Sequence, residues 1–286
     1  YKKFLKMQSI IRSHAKINLA LSVIGKTSTL HKIESVVAFV SLYDEILIKR
    51  INSDKHTISF TGKFSRNIGK KNTIYKLLEV LENKKLLNDK KFKIKIKKNI
   101  PIKAGLGGGS MNAANILNYL ASNKIIKTTQ KEIIKISKLV GSDVVLGLNS
   151  TNSILNSKNK IKRFTSCRKI YTLIVKPNFG CSTKKIYSKI RKFDKPKLNK
   201  PSKRMFNLNN LKKMTNSLEP IALSMYSSLK RIKLFLEISS QAEFVRMTGS
   251  GSALVAYFYS KGKCDIAKKQ FNKKYKNYWC ISSKTI

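Results

Sequence analysis

A glycine-rich segment near the middle of the chain has the composition of a phosphate-binding loop. It reads PIKAGLGGGS from Pro101 to Ser110 and contains four glycines within five positions. Glycine lets the backbone turn tightly and approach a ligand closely, with its N–H groups directed inward. A helix that starts after Ser110 would add unpaired N–H groups and the positive end of its dipole. The segment therefore predicts an anion site suited to nucleotide phosphates, with a plain flexible turn as the alternative.

The same segment differs from the most familiar phosphate loops. No Lys-Ser or Lys-Thr pair follows the glycines, so the segment is not a Walker A loop. Ser110 stands where a dinucleotide-binding Rossmann loop needs Gly or Ala, and the HRD and DFG signatures of protein kinases are absent. Any nucleotide chemistry of this chain therefore belongs to another class.

Three further short motifs accompany the glycine-rich segment along the chain. They are AKINL at Ala15–Leu19, GSDV at Gly141–Val144 and MTGSGS at Met247–Ser252. Together with PIKAGLGGGSMNAA, they resemble in order and spacing the motifs of the galactokinase/homoserine kinase/mevalonate kinase/phosphomevalonate kinase superfamily. The triple glycine followed by Ser is especially similar to the diphosphocytidyl-methylerythritol kinases. The resemblance covers most of the chain, and four motifs in register are specific where any one alone would be weak.

The resemblance implies catalytic roles for two charged residues. Asp143 would be the base that accepts the proton of the substrate hydroxyl, and Lys16 would keep Asp143 ionised and stabilise charge on the transferred phosphoryl group. From the residues alone, Asp143 could instead be a helix N-cap after Gly141, and Lys16 could be one more surface lysine. The position of Lys16 inside an alternating apolar strand argues against full exposure.

The resemblance also implies ATP and Mg²⁺ as ligands of the glycine-rich segment. Ser110 could contact a phosphate or the metal, or it could simply cap the helix, so no metal ligand is certain. Met111 occupies a position where the family usually has a second Ser, which would weaken phosphate or metal contacts. The predicted ATP-binding residues are Pro101, Ile102, Lys103, Ala104, Gly105, Leu106, Gly107, Gly108, Gly109, Ser110 and Met111.

A substrate with a cytidine diphosphate group is implied as well. The family places an aromatic–His pair after the first strand; here His31 supplies the His, but Leu30 stands in place of the aromatic residue. Tyr187 would stack on the base, and its alternative is a helix core residue. The predicted substrate-binding residues are Asn18, His31, Thr183, Tyr187, Gly249 and Ser250.

Hydrophobic periodicity indicates which elements would position these residues. Strict alternation predicts strands at Ser13–Ile24 and at Phe92–Lys97, where FKIKIK places its apolar residues on one face. Helical spacing follows at Asn112–Ser122 and again from Ile133 to Val140, just before Gly141. Further predictions are strands at Glu34–Leu42, Glu45–Ile51 and Tyr171–Val175, helices at Pro220–Ser228 and Lys230–Ser239, a polar connection or exposed hairpin at Asn149–Arg163, a loop at Lys195–Asn210, and a turn leading into a strand within Phe244–Tyr259.

The mixture of strands and helices predicts an α+β or α/β fold. The resemblance narrows this to an α+β, two-domain kinase fold, with a ribosomal-protein-S5-like N-terminal domain and a ferredoxin-like C-terminal domain. We expect an ATP-binding and catalytic domain over residues 1–158, a substrate-side domain over residues 159–286, and an active site in the cleft between them.

The charge balance of the chain raises a different possibility. The sequence has 60 Lys and Arg residues against 14 Asp and Glu residues, and the resulting net charge of +46 is typical of nucleic-acid binders. Only nine of the 60 are Arg, the residue preferred for contacts with phosphates and bases, and the lysines are spread along the whole chain. We therefore expect a lysine-rich surface with general affinity for polyanions, without a specific nucleic-acid partner.

Cysteine usage and hydropathy bear on the cellular compartment. The four cysteines are far apart, form no CxxC motif and are not at metal-ligand spacing from the three histidines. No apolar run reaches the roughly 18 residues needed to span a bilayer, and the first residues lack the apolar stretch of a signal peptide. We expect a cytoplasmic protein with reduced thiols and no membrane partner, either a monomer or a homodimer.

The function implied by the resemblance is ATP-dependent phosphorylation of the 2-hydroxyl of 4-diphosphocytidyl-2-C-methyl-D-erythritol, a step of the non-mevalonate route to isoprenoid precursors. Two alternatives stay open. One is another kinase of the superfamily, acting on homoserine or mevalonate, and the other is a ribosomal-protein-like nucleic-acid binder without catalysis. A nucleic-acid binder would not need Lys16 and Asp143 together with two glycine loops.

Overall fold

The computed structural model describes residues 10–28, 30–69 and 71–286, and these residues pack as two units. The first unit contains the described residues up to Ala15, together with Leu42–Pro101 and Gly107–Ser150. The second unit contains the described residues of Lys16–Ser41, together with Ile102–Leu106 and Thr151–Ile286. Packing thus divides the chain discontinuously, and the contiguous functional domains 1–158 and 159–286 stay a prediction.

Ten strands and nine α-helices are present in the described part of the chain. The strands are β1 (Ile11–Lys26), β2 (His31–Ile51), β3 (Thr57–Thr61), β4 (Lys91–Lys97), β5 (Asn152–Leu155), β6 (Ile161–Phe164), β7 (Tyr171–Lys176), β8 (Phe244–Met247), β9 (Leu254–Phe258) and β10 (Trp279–Lys284). The helices are α1 (Thr73–Asn83), α2 (Gly108–Ser122), α3 (Gln130–Val140), α4 (Val144–Gly147), α5 (Thr183–Ser188), α6 (Leu208–Lys212), α7 (Glu219–Met225), α8 (Ser227–Ser239) and α9 (Lys261–Lys274).

The sheet of the first unit is organised around β4, the FKIKIK strand. β4 runs antiparallel to the second half of β2 and parallel to β3. Phe92, Ile94 and Ile96 are buried, and the lysines that follow each of them are exposed. The buried face joins apolar residues of α1, α2 and α3 in a single core. The predicted alternation of β4 is therefore confirmed, and this strand leads directly toward the glycine-rich segment.

Two short features fix the helices that follow the glycine-rich segment. Thr129 and Glu132 form a reciprocal capping box at the start of α3, and α3 ends at Val140, before Gly141, as predicted. α4 approaches α2 closely because Gly147 has no side chain: a Cβ there would lie 2.8 Å from the Cβ of Ala114. The GSDV motif is therefore held beside α2.

The second unit contains a four-stranded antiparallel sheet with the order β10-β7-β9-β8. Apolar residues of β7, β8 and β9 pack with those of α8 and α9 in a second core. In the same unit, the first half of β2 pairs with β5, and β5 pairs with β6. The predicted connection at Asn149–Arg163 is therefore a hairpin, although β5 is largely buried because it pairs with β2.

The last two residues close onto strands that occur much earlier in the sequence. Thr285 pairs with Val40 and donates its N–H to the carbonyl oxygen of Ile170 at 2.9 Å. Ile286 donates its N–H to the carbonyl oxygen of Phe39 at 3.0 Å. Residues 285 and 286 thus tie distant parts of the second unit together.

Several predicted boundaries differ from the structure. The runs Glu34–Leu42 and Glu45–Ile51 form one continuous strand, β2, which also includes the buried Asp44. The predicted helix at Pro220–Ser228 is interrupted, because Tyr226 leaves helical geometry between α7 and α8. The predicted loop at Lys195–Asn210 contains a 3₁₀ turn at Lys203–Phe206 and the start of α6.

The mixed helix and sheet content confirms the α+β class. Among the described residues, no helix combines the length and the apolar character needed to cross a bilayer. No disulfide joins Cys167, Cys181, Cys264 or Cys280.

Candidate active site

The start of α2, in the first unit, has the properties of an anion-binding helix N-terminus. Gly107 is the N-cap, and its φ of 68° lies in the left-handed region that favours glycine. The N–H groups of Gly108, Gly109 and Ser110 donate to no acceptor within the described residues. No acidic residue lies in the first turn. These free donors and the positive end of the helix can bind an anion such as a nucleotide phosphate.

Met111 does not share this ligand-binding surface. Its side chain is fully buried, and its Sδ would lie 2.9 Å from a Cβ added at Gly147. Its N–H already donates to the carbonyl oxygen of Gly107 at 2.9 Å. Neither its side chain nor its N–H group is available to a phosphate. The predicted ATP contact of Met111 is therefore corrected: this residue packs α2 against α4.

The metal prediction can be examined through the donors that the chain offers. Over the described ranges, no group of three or more His, Cys, Asp or Glu residues could hold a metal ion. The hydroxyl of Ser110 lies in the first turn of α2 without a hydrogen-bond partner in the described structure. Mg²⁺ bound with a nucleotide takes most of its oxygen ligands from phosphates and water. The residues present therefore fit a Mg²⁺ ion that accompanies ATP, with Ser110 as a possible hydroxyl ligand.

In the second unit, Ile102–Leu106 contacts the MTGSGS turn. A Cβ at Gly105 would lie only 2.0 Å from the carbonyl oxygen of Thr248, so no larger residue fits there. The Thr248 hydroxyl donates to the carbonyl oxygen of Gly105 at 3.2 Å. The N–H of Ala253 donates to the carbonyl oxygen of Ala104 at 3.2 Å. Two of the sequence motifs, far apart along the chain, are thus held together by backbone contacts.

Lys16 is a buried residue of the second unit and not a surface lysine. Its Nζ donates to Oδ1 of Asn18 at 2.7 Å, and its N–H donates to the carbonyl oxygen of Leu106 at 3.0 Å. Asn18 is itself fixed, because its N–H donates to the Thr248 hydroxyl at 2.9 Å and its Nδ2 donates to the hydroxyl of Ser35 at 2.8 Å. Asn18 therefore orients the Lys16 ammonium, and its predicted contact with substrate stays a prediction.

Asp143 lies in the first unit, directly before α4. It occupies the N-cap position, but its side chain makes no capping hydrogen bond. The N-cap explanation of this carboxylate is therefore not supported. Since Lys16 belongs to the other unit, the predicted pairing of Asp143 with Lys16 stays a prediction.

His31 and Tyr187, predicted to hold a cytosine base, are neighbours within the second unit. Their ring centroids lie 4.8 Å apart, with an angle of 44° between the ring planes. Burial and the nearby positive charge of Lys26 lower the pKa of His31 below its ordinary value, which favours the neutral ring. A neutral imidazole has one donor and one acceptor, which suits the edge of a base. Tyr187 also packs against the core, whereas Leu30 is 67% exposed.

The remaining predicted substrate residues lie in or next to the MTGSGS turn. The hydroxyls of Thr183 and Ser250 are 2.7 Å apart, and Gly249 has a φ of 55°. A Cβ at Gly249 would lie 3.4 Å from Oδ1 of Asn18, so this glycine allows the turn to approach the residue that orients Lys16. The structure thus brings Gly249 and Asn18 together, as well as Thr183 and Ser250.

Two residues important for this geometry were not predicted to belong to the site. Asn216 is buried, and its Nδ2 donates to the carbonyl oxygens of Met247 and Gly249, each at 2.8 Å. Thr248 links Asn18 to Gly105, although only its glycine and serine neighbours were predicted as substrate contacts. Thr248 could have been found from its place inside a recognised motif. Asn216 had no comparable signal, because it lies in a polar segment without periodicity.

Residues 72–155 match the family described as the GHMP kinases N terminal domain. The glycine-rich helix start, the fold and this match define a GHMP-type small-molecule kinase. Solved structures agree on the fold. A crystal structure of 4-(cytidine 5'-diphospho)-2C-methyl-D-erythritol kinase matches 97% of this chain and 100% of its own, with a TM-score of 0.77 and 21% identity. The L. major mevalonate kinase in complex with R-mevalonate covers 100% of this chain and 98% of its own, with a TM-score of 0.70 and 15% identity.

Sequence relatives narrow the class further. The chain is 53% identical over 276 residues to the 4-diphosphocytidyl-2-C-methyl-D-erythritol kinase of Pelagibacter ubique (strain HTCC1062), covering 96% of this chain and 98% of the relative. It is 32% identical over 286 residues to the enzyme of the same name from Clostridium tetani (strain Massachusetts / E88), covering 96% and 99%. The chain therefore belongs to the 4-diphosphocytidyl-2-C-methyl-D-erythritol kinase family of ATP-dependent GHMP kinases.

Proposed function

We propose that this protein transfers the γ-phosphate of ATP to the 2-hydroxyl of 4-diphosphocytidyl-2-C-methyl-D-erythritol. The product would be the corresponding 2-phosphate and ADP, within the non-mevalonate route to isoprenoid precursors. The substrate has three parts that a site must recognise: a cytosine base, a diphosphate and a polyol that carries the reacting hydroxyl.

The observation that carries this choice is the proximity of His31 and Tyr187, whose ring centroids are 4.8 Å apart. A base offers a flat π-face and a hydrogen-bonding edge, and this pair supplies one group for each. Neither homoserine nor mevalonate has a base to stack. The pair therefore supports the cytidyl substrate over the other substrates of the superfamily.

In the proposed reaction, phosphoryl transfer depends on positioning and electrostatic stabilisation more than on covalent chemistry. The free N–H groups at the start of α2 hold the ATP phosphates. Asp143 accepts the proton of the substrate 2-hydroxyl. The hydroxyl oxygen forms a bond to the γ-phosphorus of ATP as the bond between that phosphorus and the ADP oxygen breaks. Lys16, held by Asn18, stabilises the negative charge on the transferred group.

The proposal includes Mg²⁺ bound with ATP, and Ser110 is the residue that would hold it. The ion would neutralise charge on the phosphate oxygens during transfer. A small, highly charged substrate also favours a cytoplasmic location. The proposed partner is this small molecule, and the proposal includes neither a specific nucleic-acid partner nor a membrane. We keep both a monomer and a homodimer as options for the assembly.

A coupled ADP-release assay across three acceptors tests the substrate. The cytidyl substrate, homoserine and mevalonate are compared at equal concentration with saturating Mg-ATP, and ³¹P NMR of the product locates the new phosphate. We expect turnover with the cytidyl substrate alone and a phosphate on its 2-oxygen. A higher kcat/KM for homoserine or mevalonate would overturn the proposal. ATP binding without turnover of any of the three would also count against it.

A further inference from the structure

A fully buried carboxylate lies near the glycine-rich segment without a role in the proposed reaction. Asp44 is in β2, in the first unit, and its side chain has no exposure to solvent. In the sequence it lies between the two predicted strand segments Glu34–Leu42 and Glu45–Ile51. Burying a carboxylate is costly unless hydrogen bonds and an opposite charge compensate it. The partners of Asp44 therefore indicate what this position is for.

Asp44 accepts hydrogen bonds from both sides of the glycine-rich segment. Its Oδ1 accepts the N–H groups of Asn99 and Ile100, each at 2.8 Å, immediately before Pro101. Its Oδ2 accepts the Nζ of Lys98 and, at 2.9 Å, the Nδ2 of Asn112 in α2. A single carboxylate thus connects residues 98–100, which precede the loop, to α2, which follows it.

Placing Asn112 at this position costs stability, and an apolar residue would avoid that cost. The other amide atom of this side chain, Oδ1, is buried and has no partner in the described structure. An unsatisfied buried acceptor is destabilising, and an apolar residue of similar size would avoid it. Asn112 is therefore present for what its Nδ2 does, which is to fasten α2 to Asp44.

The loop between these two attachment points is the one that would hold ATP. Gly108, the first residue of α2, lies close to the same cluster: a Cβ there would be 3.2 Å from the Nζ of Lys98. A shift of α2 relative to residues 98–100 would redirect its free N–H groups away from the phosphates. A misplacement of about 1 Å at such a site can have a large effect on rate.

We propose that Asp44 is a positioning residue for ATP, which fixes the separation between the two ends of the glycine-rich segment and thereby aims the first N–H groups of α2. This inference rests on the proposed role of that segment in binding ATP. It does not depend on which alcohol accepts the phosphate.

Asn112→Leu is the most direct test, because it detaches α2 from Asp44 while the ion pair with Lys98 remains. The matched control is Asn118→Leu, the same substitution on the same helix, at a residue that donates to the carbonyl oxygen of Leu148 at 2.9 Å. Calorimetry measures the Kd of Mg-ATP for each folded protein, and steady-state kinetics separates KM for ATP from KM for the alcohol. Thermal unfolding of both variants measures any shared loss of stability.

We expect Asn112→Leu to weaken ATP binding about tenfold, the scale of one hydrogen bond to a charged group, with KM for the alcohol unchanged. Asn118→Leu should keep the ATP affinity of the wild type. Asp44→Asn should have a larger effect on ATP, but it leaves the Lys98 ammonium buried without a carboxylate and is expected to lower stability strongly. Asn112→Leu therefore decides the question if Asp44→Asn does not fold.

Equal ATP affinity in Asn112→Leu and the wild type would overturn the positioning role, and so would equal losses in Asn112→Leu and Asn118→Leu. The proposed substrate fails in a different way. In that case the wild type binds ATP, Asn112→Leu binds it more weakly, and neither phosphorylates the cytidyl compound.

Discussion

Lys16 shows how one side chain can be distinguished among many lysines. It is only 4% exposed, and its ammonium is held by Asn18, which is fixed in turn by Thr248 and Ser35. A buried ammonium needs such partners, because its desolvation is costly. The arrangement keeps a positive charge in one orientation, as stabilisation of a transferred phosphoryl group requires.

Asp143 is the residue whose replacement should separate chemistry from binding. We expect Asp143→Asn to lower kcat by about 10²–10⁴-fold, the usual contribution of a general base, because the amide cannot accept the hydroxyl proton. The Kd of ATP should stay near the wild-type value in calorimetry. Asp54→Asn, an identical change of charge in an exposed turn, is the control and should retain full turnover. Near-wild-type kcat in Asp143→Asn would remove the assignment of the base.

Tyr187 should affect the alcohol substrate and not ATP. Stacking on a base contributes about 1–3 kcal/mol, so Tyr187→Ala should raise KM for the cytidyl substrate about tenfold or more. KM for ATP should not change. Tyr278→Ala removes another partly buried tyrosine from the same core and is the matched control. An unchanged KM for the cytidyl substrate, or a shift in KM for ATP, would show that the base binds elsewhere.

Leu30 offers the opposite experiment, a gain of affinity. Its side chain is 67% exposed beside His31 and offers apolar contact but no ring on which a base could stack. Leu30→Tyr adds a ring, and we expect KM for the cytidyl substrate to fall. The gain in binding free energy should be at most about 1 kcal/mol, because the new side chain must also be ordered. Leu30→Met, which adds no ring, is the control. A rise in KM with Leu30→Tyr would argue against a base at this position.

At the scale of elements, α2 is defined more by its first residues than by its length. Gly107 adopts a φ of 68° as the N-cap, and the three following N–H groups are free in the described structure. A left-handed conformation costs a residue with a Cβ about 1–2 kcal/mol. The glycine therefore keeps the helix start open at little conformational cost.

Replacing Gly107 should weaken ATP binding through the backbone. We expect Gly107→Ala to raise the Kd of ATP about tenfold, because the left-handed N-cap conformation becomes strained. KM for the cytidyl substrate should change less. Gly262→Ala is the control: it lies in α9 with nothing within 4 Å of the added Cβ, and it should slightly raise stability. Calorimetry and thermal unfolding of the two variants provide the comparison, and an unchanged Kd in Gly107→Ala would contradict the role of this cap.

Elements with a regular apolar pattern were predictable from the sequence, and elements held by other means were not. β4 alternates strictly and α3 has apolar residues at helical spacing, so both appear as expected. α9 was missed because its lysines dilute the apolar spacing, although Cys264, Ala267 and Phe271 are buried. β2 was divided in the prediction because Asp44 interrupts its apolar run, whereas buried hydrogen bonds allow the strand to continue.

The site was predictable to the extent that it follows from short motifs. The glycines, Lys16 and Asp143 lie in contiguous signatures, and the neighbours His31 and Tyr187 each resemble a family position. Asn216 and Asp44 act through hydrogen bonds to groups that are distant in the sequence, and such partners leave no local pattern. Met111 was assigned to the ATP site because it stands where the family usually has a second Ser, but its side chain is buried in the core.

The whole molecule has a strongly basic surface, because its net charge is +46 and its buried charges, which include Lys16, Lys98 and Arg246 as well as two carboxylates, nearly cancel. Two of its 14 acidic residues, Glu34 and Asp44, are fully buried. Glu34 accepts N–H groups of Ser157, Lys197 and Leu198 and so neutralises no surface lysine. Polyanionic substrates therefore encounter a field that attracts them from a distance.

Ionic strength should reveal this field in the kinetics. Raising KCl from about 50 mM to about 500 mM shortens the screening length severalfold, so KM for ATP and for the cytidyl diphosphate should both rise. We expect kcat to change much less, because charges within the buried site are weakly screened. Sucrose at matched osmolarity is the control. KM values that are insensitive to KCl would show that the excess charge has no part in substrate capture.

The pairing of residues 285 and 286 with Phe39, Val40 and Ile170 has a consequence for synthesis on the ribosome. The first unit needs no residue beyond Ser150, so its chain can emerge and fold while translation continues. The contacts that residues 285 and 286 make with the second unit can form only after these residues have left the exit tunnel. Until then the carbonyl oxygens of Phe39 and Ile170 lack the N–H donors that residues 285 and 286 supply. Loss of residues 285 and 286 would therefore leave the first unit intact and remove from the second unit the hydrogen bonds that tie the chain back to Phe39 and Ile170.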